Sequence, residues 1–255
     1  MADNTTIKDA VKARYQAVAQ AQGASCCGSE CCIPDASVTD ISTGYSAREL
    51  SQIPQEANLG LGCGNPTVLA DLRAGEIVVD LGSGAGVDCF LAAQRVGERG
   101  RVIGIDMTDA MLERARENAH RGGFTNVEFR QGEIEDIPVD AGTADMVISN
   151  CVINLAPDKA QVFREIHRIL KPGGRFCISD VVSKGTIPVA EREDMEKWAG
   201  CIAGSLPKEE YLDIVRRAGF VEIDVRSEVE YDYRKTDQYS LASVTVTARK
   251  SKGLA

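Results

Sequence analysis

The feature that most constrains this chain is a glycine-rich loop between an apolar run and an amphipathic segment. Residues 77–88 read IVVDLGSGAGVD, with glycine at every second position from Gly82 to Gly86. Glycine allows a positive φ and lets a ligand approach the main chain without meeting a Cβ. A helix that begins after such a loop directs its unpaired N–H groups toward the same ligand. The pattern therefore predicts a strand, a ligand-binding loop and a helix.

Strand-like and helix-like segments alternate on both sides of the loop. β-Branched and apolar runs predict strands near residues 76–81, 101–106, 126–130, 144–149 and 174–181. Helical periodicity between them predicts helices near residues 86–96, 108–121 and 158–170. This alternation is typical of an α/β fold with a doubly wound, Rossmann-like parallel sheet, in which ligands bind at the carboxyl ends of the strands.

The segments outside this core follow other patterns. Residues 5–21 predict a helix with one apolar stripe, and Ser46 and Asn65 each predict the start of a short helix, the second reaching about Leu72. After residue 183 we expect helices near 190–199 and 207–218, then strands near 221–232 and 241–249 that complete the sheet or form a separate lid. We divide the chain into an N-terminal helix with a Cys-rich extension (1–58), a core (59–183) and a C-terminal α+β segment (184–255).

The composition and net charge limit the kinds of partner that the protein is expected to bind. Of the 255 residues 44% are hydrophobic and 26% charged, as in a globular protein, and the net charge is −9. A surface of that sign repels nucleic-acid backbones and anionic lipid, so neither partner is expected. The sequence has no apolar run long enough to span a membrane and begins without the features of a signal peptide, which favours a cytoplasmic location.

The glycine loop resembles the first motif of class I S-adenosylmethionine (SAM) methyltransferases, which has the spacing G-x-G-x-G after an acidic residue. Asp106 ends the second predicted strand, 20 residues after Gly86, where a carboxylate accepts hydrogen bonds from ribose hydroxyls. The resemblance implies that Glu133 holds the adenine amino group and that Ile134 flanks the base. Met107 either lies along the adenine or is a core residue. The implied SAM-binding residues are Asp80, Gly82, Gly84, Gly86, Asp106, Met107, Glu133, Ile134 and Asn150.

Nine cysteines are the unusual part of the composition. An odd number in a reducing compartment argues against a disulfide framework and for thiol chemistry or a soft metal. Two of them, Cys89 and Cys177, fall within the predicted core and are assigned to packing. Four are crowded into one segment, Cys26, Cys27, Cys31 and Cys32, and the remaining three are Cys63, Cys151 and Cys201.

The sequences around these last three cysteines resemble arsenite SAM-methyltransferases. The likeness runs from about Gly44 to Gly219 and includes LGCGNP at 61–66 and SNCVINL at 149–155. It implies that Cys63, Cys151 and Cys201 are catalytic and bind trivalent arsenic. The family has further cysteines toward the N-terminus, which correspond to the segment 26–32, and we include Cys31 and Cys32 as candidate ligands. It also implies a thiol reductant, glutathione or thioredoxin, as co-substrate.

The chemistry of arsenic agrees with this assignment. A soft, thiophilic centre selects thiolate ligands. Trivalent arsenic held by three sulfurs is pyramidal, and its lone pair can attack the methyl group of SAM in line while the protein supplies orientation and a dry pocket. No general base is needed, and the only histidines, His120 and His167, lie in predicted helices.

Three other interpretations remain open from the sequence. A structural zinc site would use C-x₂₋₄-C pairs, but the chain has no second pair to accompany the one near Cys27 and Cys31. A quinone-type C- or O-methyltransferase would share the core and have incidental cysteines. A non-catalytic protein that sequesters thiophilic ions would have no use for the glycine loop.

Overall fold

The computed structural model describes residues 3–20 and 44–253. Eight strands form one sheet: β1 (Ile77–Leu81), β2 (Arg101–Asp106), β3 (Val127–Gln131), β4 (Ala144–Asn150), β5 (Leu170–Gly185), β6 (Leu206–Pro207), β7 (Phe220–Lys235) and β8 (Tyr239–Lys250). Their order is β3-β2-β1-β4-β5-β8-β7, and the short β6 pairs with β5. The first five strands are parallel to one another, as the alternating pattern predicts.

Helices connect these strands and cover both faces of the sheet. They are α1 (Asn4–Gln20), α2 (Ala47–Leu50), α3 (Pro66–Leu69), α4 (Val87–Val96), α5 (Asp109–Gly122), α6 (Lys159–Ile169), α7 (Val189–Arg192), α8 (Met195–Ala199) and α9 (Lys208–Arg217), with 3₁₀ turns at Gln55–Ala57 and Ile153–Leu155. Within residues 3–20 and 44–253, no helix has both the length and the hydropathy required to cross a bilayer.

The centre of the sheet is buried on both faces, which explains its nearly continuous apolar runs. Val79 of β1 packs into one hydrophobic cluster and Val78 into the other, and both side chains are fully buried. β1 pairs with β2 on one side and with β4 on the other, so the strand order reverses here. The carboxyl ends of these three strands therefore open a crevice at the switch point.

The C-terminal strands complete the far edge of the sheet. β8 pairs with β5 antiparallel from Arg175↔Arg249 to Gly185↔Tyr239, and β7 pairs with β8. Of the two expectations for these strands, completion of the sheet is therefore correct and a separate lid is wrong. The three-part division of the chain stays a prediction.

Three predicted boundaries differ from the structure. The single helix expected near 190–199 is two helices, because the Asp194 side chain accepts the N–H groups of Glu196 and Lys197 and begins a new helix. α3 ends at Leu69, since the chain turns through a left-handed conformation at Asp71 (φ 48°). β5 begins at Leu170, and its pairing with β4 shifts register before the regular ladder starts at Arg175.

Gly104 in β2 provides a test of core packing. A Cβ at this position would lie 2.7 Å from the Phe129 ring and 2.9 Å from the Cys89 sulfur. We expect Gly104→Ala to lower the free energy of unfolding by about 1–3 kcal/mol, because overpacking forces neighbours to move. Urea denaturation measures the change, and Val221→Ala on the exposed edge strand is the control, with an expected change within about 0.5 kcal/mol. Equal stability of the two variants would contradict this packing.

Candidate functional site

A cavity of about 880 Å³ opens at the carboxyl ends of the parallel strands. The glycine loop, the end of β4, the loop at 60–65, residues 199–201 and α1 form its wall. It brings together most of the residues that the sequence singled out: Cys63, Gly82, Gly84, Asp106, Met107, Glu133, Ile134, Asn150, Cys151 and Cys201. Asp80 and Gly86 are not among its lining residues.

The glycine loop uses its glycines in two different ways. Gly82, Gly84 and Gly86 all have positive φ values, of 70°, 51° and 101°. A Cβ at Gly86 would lie 2.7 Å from the Phe90 ring, whereas the space around Gly84 is open. Gly86 is thus required for packing behind the loop, and Gly84 faces the cavity with its backbone accessible.

Asp106 is held at the end of β2 by backbone donors. Its carboxylate accepts the N–H of Gly84 at 3.0 Å and that of Thr108 at 2.8 Å. Burial raises the pKa of this carboxyl, and these hydrogen bonds oppose the shift. The Asp106 side chain also lines the cavity, so its carboxylate is accessible to the hydrogen-bond donors of a ligand.

Two buried acids lie around the loop, and only one of them faces the cavity. Asp80 lies beneath the loop, accepts the Cys89 thiol at 3.2 Å and has a pKa raised by burial and by Asp88. Asp88, in the first turn of α4, lines the cavity. Its Oδ2 accepts the Tyr45 hydroxyl at 2.8 Å, whereas its Oδ1 is buried and has no hydrogen-bond partner in the structure. Burial raises the pKa of Asp88 to about 6.

The sequence analysis missed Asp88. The available signal was an acidic residue two positions after the third glycine. An acid in the first turn of a helix is also the ordinary complement of the helix dipole, so the pattern alone did not indicate a ligand.

Asn150, the last residue of β4, forms hydrogen bonds both to the loop that carries Cys63 and to Tyr45. Its Oδ1 accepts the backbone N–H of Cys63 at 3.0 Å. Its Nδ2 donates to the Gly64 carbonyl at 2.7 Å and to the Tyr45 hydroxyl at 2.8 Å. The side chain therefore fixes the loop that carries Cys63 and also the tyrosine that contacts Asp88.

The three cysteines that the sequence singled out meet at one wall of the cavity. The sulfurs of Cys151 and Cys201 are 3.5 Å apart, and the Cys63 thiol contacts that of Cys151. Within the parts of the chain described here, no three His, Cys, Asp or Glu side chains already have the geometry of a metal site.

Two of these cysteines occupy backbone conformations that normally favour glycine. Cys151 has φ 61° and Cys201 has φ 60°. Cys201 follows α8 at the position where helices commonly end in glycine, and the next N–H, of Ile202, returns to the Lys197 carbonyl. The Cys151 N–H donates to the Ser179 carbonyl of β5. Strained non-glycine residues of this kind cluster at functional sites.

Burial keeps two of the thiols neutral. Desolvation raises the pKa of Cys63. The contact with Cys201 lowers the pKa of Cys151, but the contact with Cys63 and burial together raise it well above the usual value. The thiols of Cys63 and Cys151 are therefore uncharged before a ligand binds.

α1 forms the outer wall. Its Lys8 donates to Glu133 at 2.6 Å and pairs with Glu135 at 3.0 Å. Val11 packs in the hydrophobic cluster that includes Cys63 and Cys201, and Tyr15 lies against it. Glu133 is half-exposed and bound to Lys8, beside Met107 and Ile134 on the cavity wall.

The remaining cysteines separate into two groups. Cys89 and Cys177 are buried in the core, as expected. The segment with Cys26, Cys27, Cys31 and Cys32 lies outside the described residues.

Comparison with known proteins identifies the family. A model of the methyltransferase domain matches residues 72–219. An arsenite methyltransferase from Halobacterium salinarum is 40% identical over 265 residues, covering 97% of this chain and 68% of the relative. The chain belongs to the arsenite methyltransferase family. A second relative with the same name, from Aquipseudomonas alcaligenes, is 43% identical over 183 residues, covering 68% of this chain and 52% of that protein.

A solved structure agrees with this family and with the fold. The crystal structure of an arsenic(III) S-adenosylmethionine methyltransferase from Chlamydomonas reinhardtii has a TM-score of 0.74 and 35% identity, covering 82% of this chain and 74% of that one. The predicted membership of the arsenite methyltransferase family and the predicted α/β methyltransferase fold are confirmed. The roles of individual residues stay predictions.

Proposed function

We propose that this chain transfers the methyl group of SAM to thiolate-bound As(III). The observation that carries the proposal is the meeting of three thiols, from Cys63, Cys151 and Cys201, on the wall of the cavity that the glycine loop lines. Cysteines that were incidental to a quinone-type methyltransferase would have no reason to converge there. A sequestering protein would need the thiols but not the glycine loop.

The described residues fit SAM. The unpartnered Oδ1 of Asp88 is a buried anionic acceptor on the cavity wall, suited to the ammonium of the methionine part. Gly82 and Gly84 present backbone without a Cβ, and Asp106 retains acceptor capacity for ribose hydroxyls. We assign the adenine end to Met107, Glu133 and Ile134, and the support of the methionine end to Asn150. Asp80 and Gly86 shape the loop from behind.

The three cysteines bind and orient arsenic. Arsenous acid, As(OH)₃, exchanges its three hydroxyls for three thiols and releases three waters, so the thiol protons leave in water and no base is required. The raised pKa values of Cys63 and Cys151 suit this exchange, because these two thiols still carry their protons when arsenic arrives. When bound, SAM would supply an electrophilic methyl group for in-line attack by the arsenic lone pair: the arsenic–carbon bond forms as the sulfonium S–CH₃ bond breaks, and S-adenosylhomocysteine leaves. Burial of the thiols keeps water from the arsenic–sulfur bonds.

Methylation formally oxidises arsenic by two electrons, so a reductant is needed for each turnover. We assign this role to a thiol co-substrate, glutathione or thioredoxin, in the cytoplasm. Cys31 and Cys32 are our candidates for the capture of inorganic arsenite or for the resolution of oxidised enzyme.

Product speciation after incubation with arsenite, SAM and a thiol tests the proposal, and methylated arsenic is the expected product. Cys63→Ser, Cys151→Ser and Cys201→Ser should each abolish this activity, since ligands that act as a unit are not additive and a hydroxyl is too hard a donor for arsenic. Cys177→Ser in the core is the matched control and should retain turnover per folded molecule. Wild-type activity in Cys151→Ser would favour the quinone-type enzyme.

The ribose contact gives a second prediction. Asp106→Ala should weaken SAM binding by about 1.5–3 kcal/mol, the value of a hydrogen bond to a charged group. Isothermal titration measures the affinity, and circular dichroism checks that the fold is retained. An unchanged affinity in the folded variant would remove Asp106 from the SAM site.

A third prediction concerns pH. Asp88 must be ionised to bind an ammonium, and its pKa is about 6, so SAM affinity should fall as the pH decreases through that value. Asp88→Asn should bind SAM about tenfold more weakly at pH 7.5 and show a smaller fall between roughly pH 7 and 5. Asp109→Asn, at an exposed acid in α5, is the control. If Asp88→Asn keeps the wild-type affinity and pH profile, Asp88 does not contact SAM.

A further inference from the structure

We infer that Asn154 is a positioning residue that sets the place of the Cys201 sulfur in the thiol site. The inference rests on the proposed function, in which Cys201 is an arsenic ligand. Asn154 lies in the 3₁₀ turn three residues after Cys151, is completely buried and does not line the cavity. It therefore acts through its neighbours rather than on the substrate.

The Asn154 amide holds the backbone of Cys201. Its Nδ2 donates to the Cys201 carbonyl at 2.9 Å and to the Ser205 hydroxyl at 3.2 Å. The Ser205 hydroxyl in turn donates to the same Cys201 carbonyl at 3.0 Å. Two buried donors thus converge on the main chain of one cysteine.

Cys201 requires such support because of its conformation. At φ 60° its Cβ is closer to the following carbonyl than in any common conformation of an L-residue. A short helix and a strained turn have little intrinsic stability, so the contacts on the turn decide where the sulfur lies.

Asn154 is itself fixed by charged groups behind it. Asp180 of β5 lies behind the turn, where it accepts the Tyr211 hydroxyl at 3.2 Å, and the Asn154 backbone is among the groups that stabilise its ionised form. The Lys159 ammonium donates to the Asn154 carbonyl at 3.0 Å and to the Ala156 carbonyl at 2.9 Å. The turn is therefore attached rigidly to β5 and α6.

The loop at 200–205 lies directly against this turn. A Cβ at Gly204 would overlap the Asn154 carbonyl oxygen, so the two segments approach as closely as a glycine permits. Asn154 thereby connects Cys201 to the turn that carries Cys151, 50 residues earlier in the chain, and the two sulfurs come within 3.5 Å. Without the amide, the Cys201 carbonyl would lose one of its two side-chain donors. The Cys201 sulfur would then shift, and arsenic would retain the sulfurs of Cys63 and Cys151 alone.

The test counts arsenic–sulfur bonds in three variants, Asn154→Asp, Asn154→Ala and Ser205→Ala. Asn154→Asp is isosteric with the native residue but lacks the NH₂ donor. Arsenic K-edge X-ray absorption is measured on the full chain with one equivalent of arsenite. In every arm Cys26, Cys27, Cys31 and Cys32 are replaced by serine, so that only the cavity thiols supply sulfur. Asn126→Ala is the matched control, because its amide also donates to two backbone carbonyls, at 3.1 and 3.0 Å, but away from the cavity.

The parent is the chain in which only those four cysteines are replaced by serine. We expect three arsenic–sulfur bonds in the parent and in Asn126→Ala, and two in the Asn154 variants. In the intact chain, KM for arsenite should rise at least tenfold in the Asn154 variants while SAM affinity stays within twofold. Ser205→Ala removes a smaller group and should also raise KM for arsenite. If the Asn154 variants do not fold, Ser205→Ala provides the test in their place.

Two results would overturn the inference: three arsenic–sulfur bonds with an unchanged KM in the variants, or an equal loss of SAM affinity and arsenite binding. Failure of the proposed function has a different signature. In that case the parent protein itself shows fewer than three arsenic–sulfur bonds, and the intact chain with all nine cysteines forms no methylated product.

Discussion

The hydrogen bonds of the Asn150 side chain hold the whole site together. β4 ends at this residue, and its pairing with Ser179 of β5 fixes the backbone. From that fixed point the amide accepts the N–H of Cys63 and donates to Gly64 and Tyr45. An asparagine offers both an acceptor and two donors in one plane, so a single side chain can hold the loop that carries Cys63 and the tyrosine that contacts Asp88 at once.

The two sides of this amide carry different titratable groups. On the glycine-loop side, burial raises the pKa values of the carboxyls of Asp80, Asp88 and Asp106, of which Asp88 and Asp106 face the cavity. On the other side the thiols of Cys63 and Cys151 are neutral for the same physical reason, burial. Desolvation thus leaves uncharged thiols on the side proposed for arsenic and carboxyls that titrate above their usual range on the side proposed for SAM. Both effects have one cause, because desolvation in a low-dielectric cavity disfavours the charged form of carboxyls and thiols alike.

The sequence predicted the parts of this arrangement that depend on local patterns. β1 to β5, the glycine loop and the amphipathic stripe of α1 are each set by residues close together in the chain. The convergence of Cys151 and Cys201 is not local: it depends on two left-handed turns and on Asn154, none of which periodicity reveals. Spacing also does not show which residues of the glycine loop face the cavity. The sequence pattern places Asp80 and Gly86 in the same predicted SAM-binding set as Gly84, although in the structure both lie behind the loop. Likewise, the sequence alone does not show that the Asp194 side chain caps α8.

α1 covers part of the cavity on the side away from the sheet. The ion pairs of Lys8 with Glu133 and Glu135 look prominent, but Lys8 and Glu133 are 27% and 52% exposed, and pairs of that kind contribute little to stability. Ile7 and Val11 are 5% and 2% exposed, so apolar burial carries the attachment. The apolar stripe of α1 therefore packs against the cluster that contains Cys63 and Cys201. The arsenic site proposed above would depend on this packing, because water competes with each thiol for arsenic.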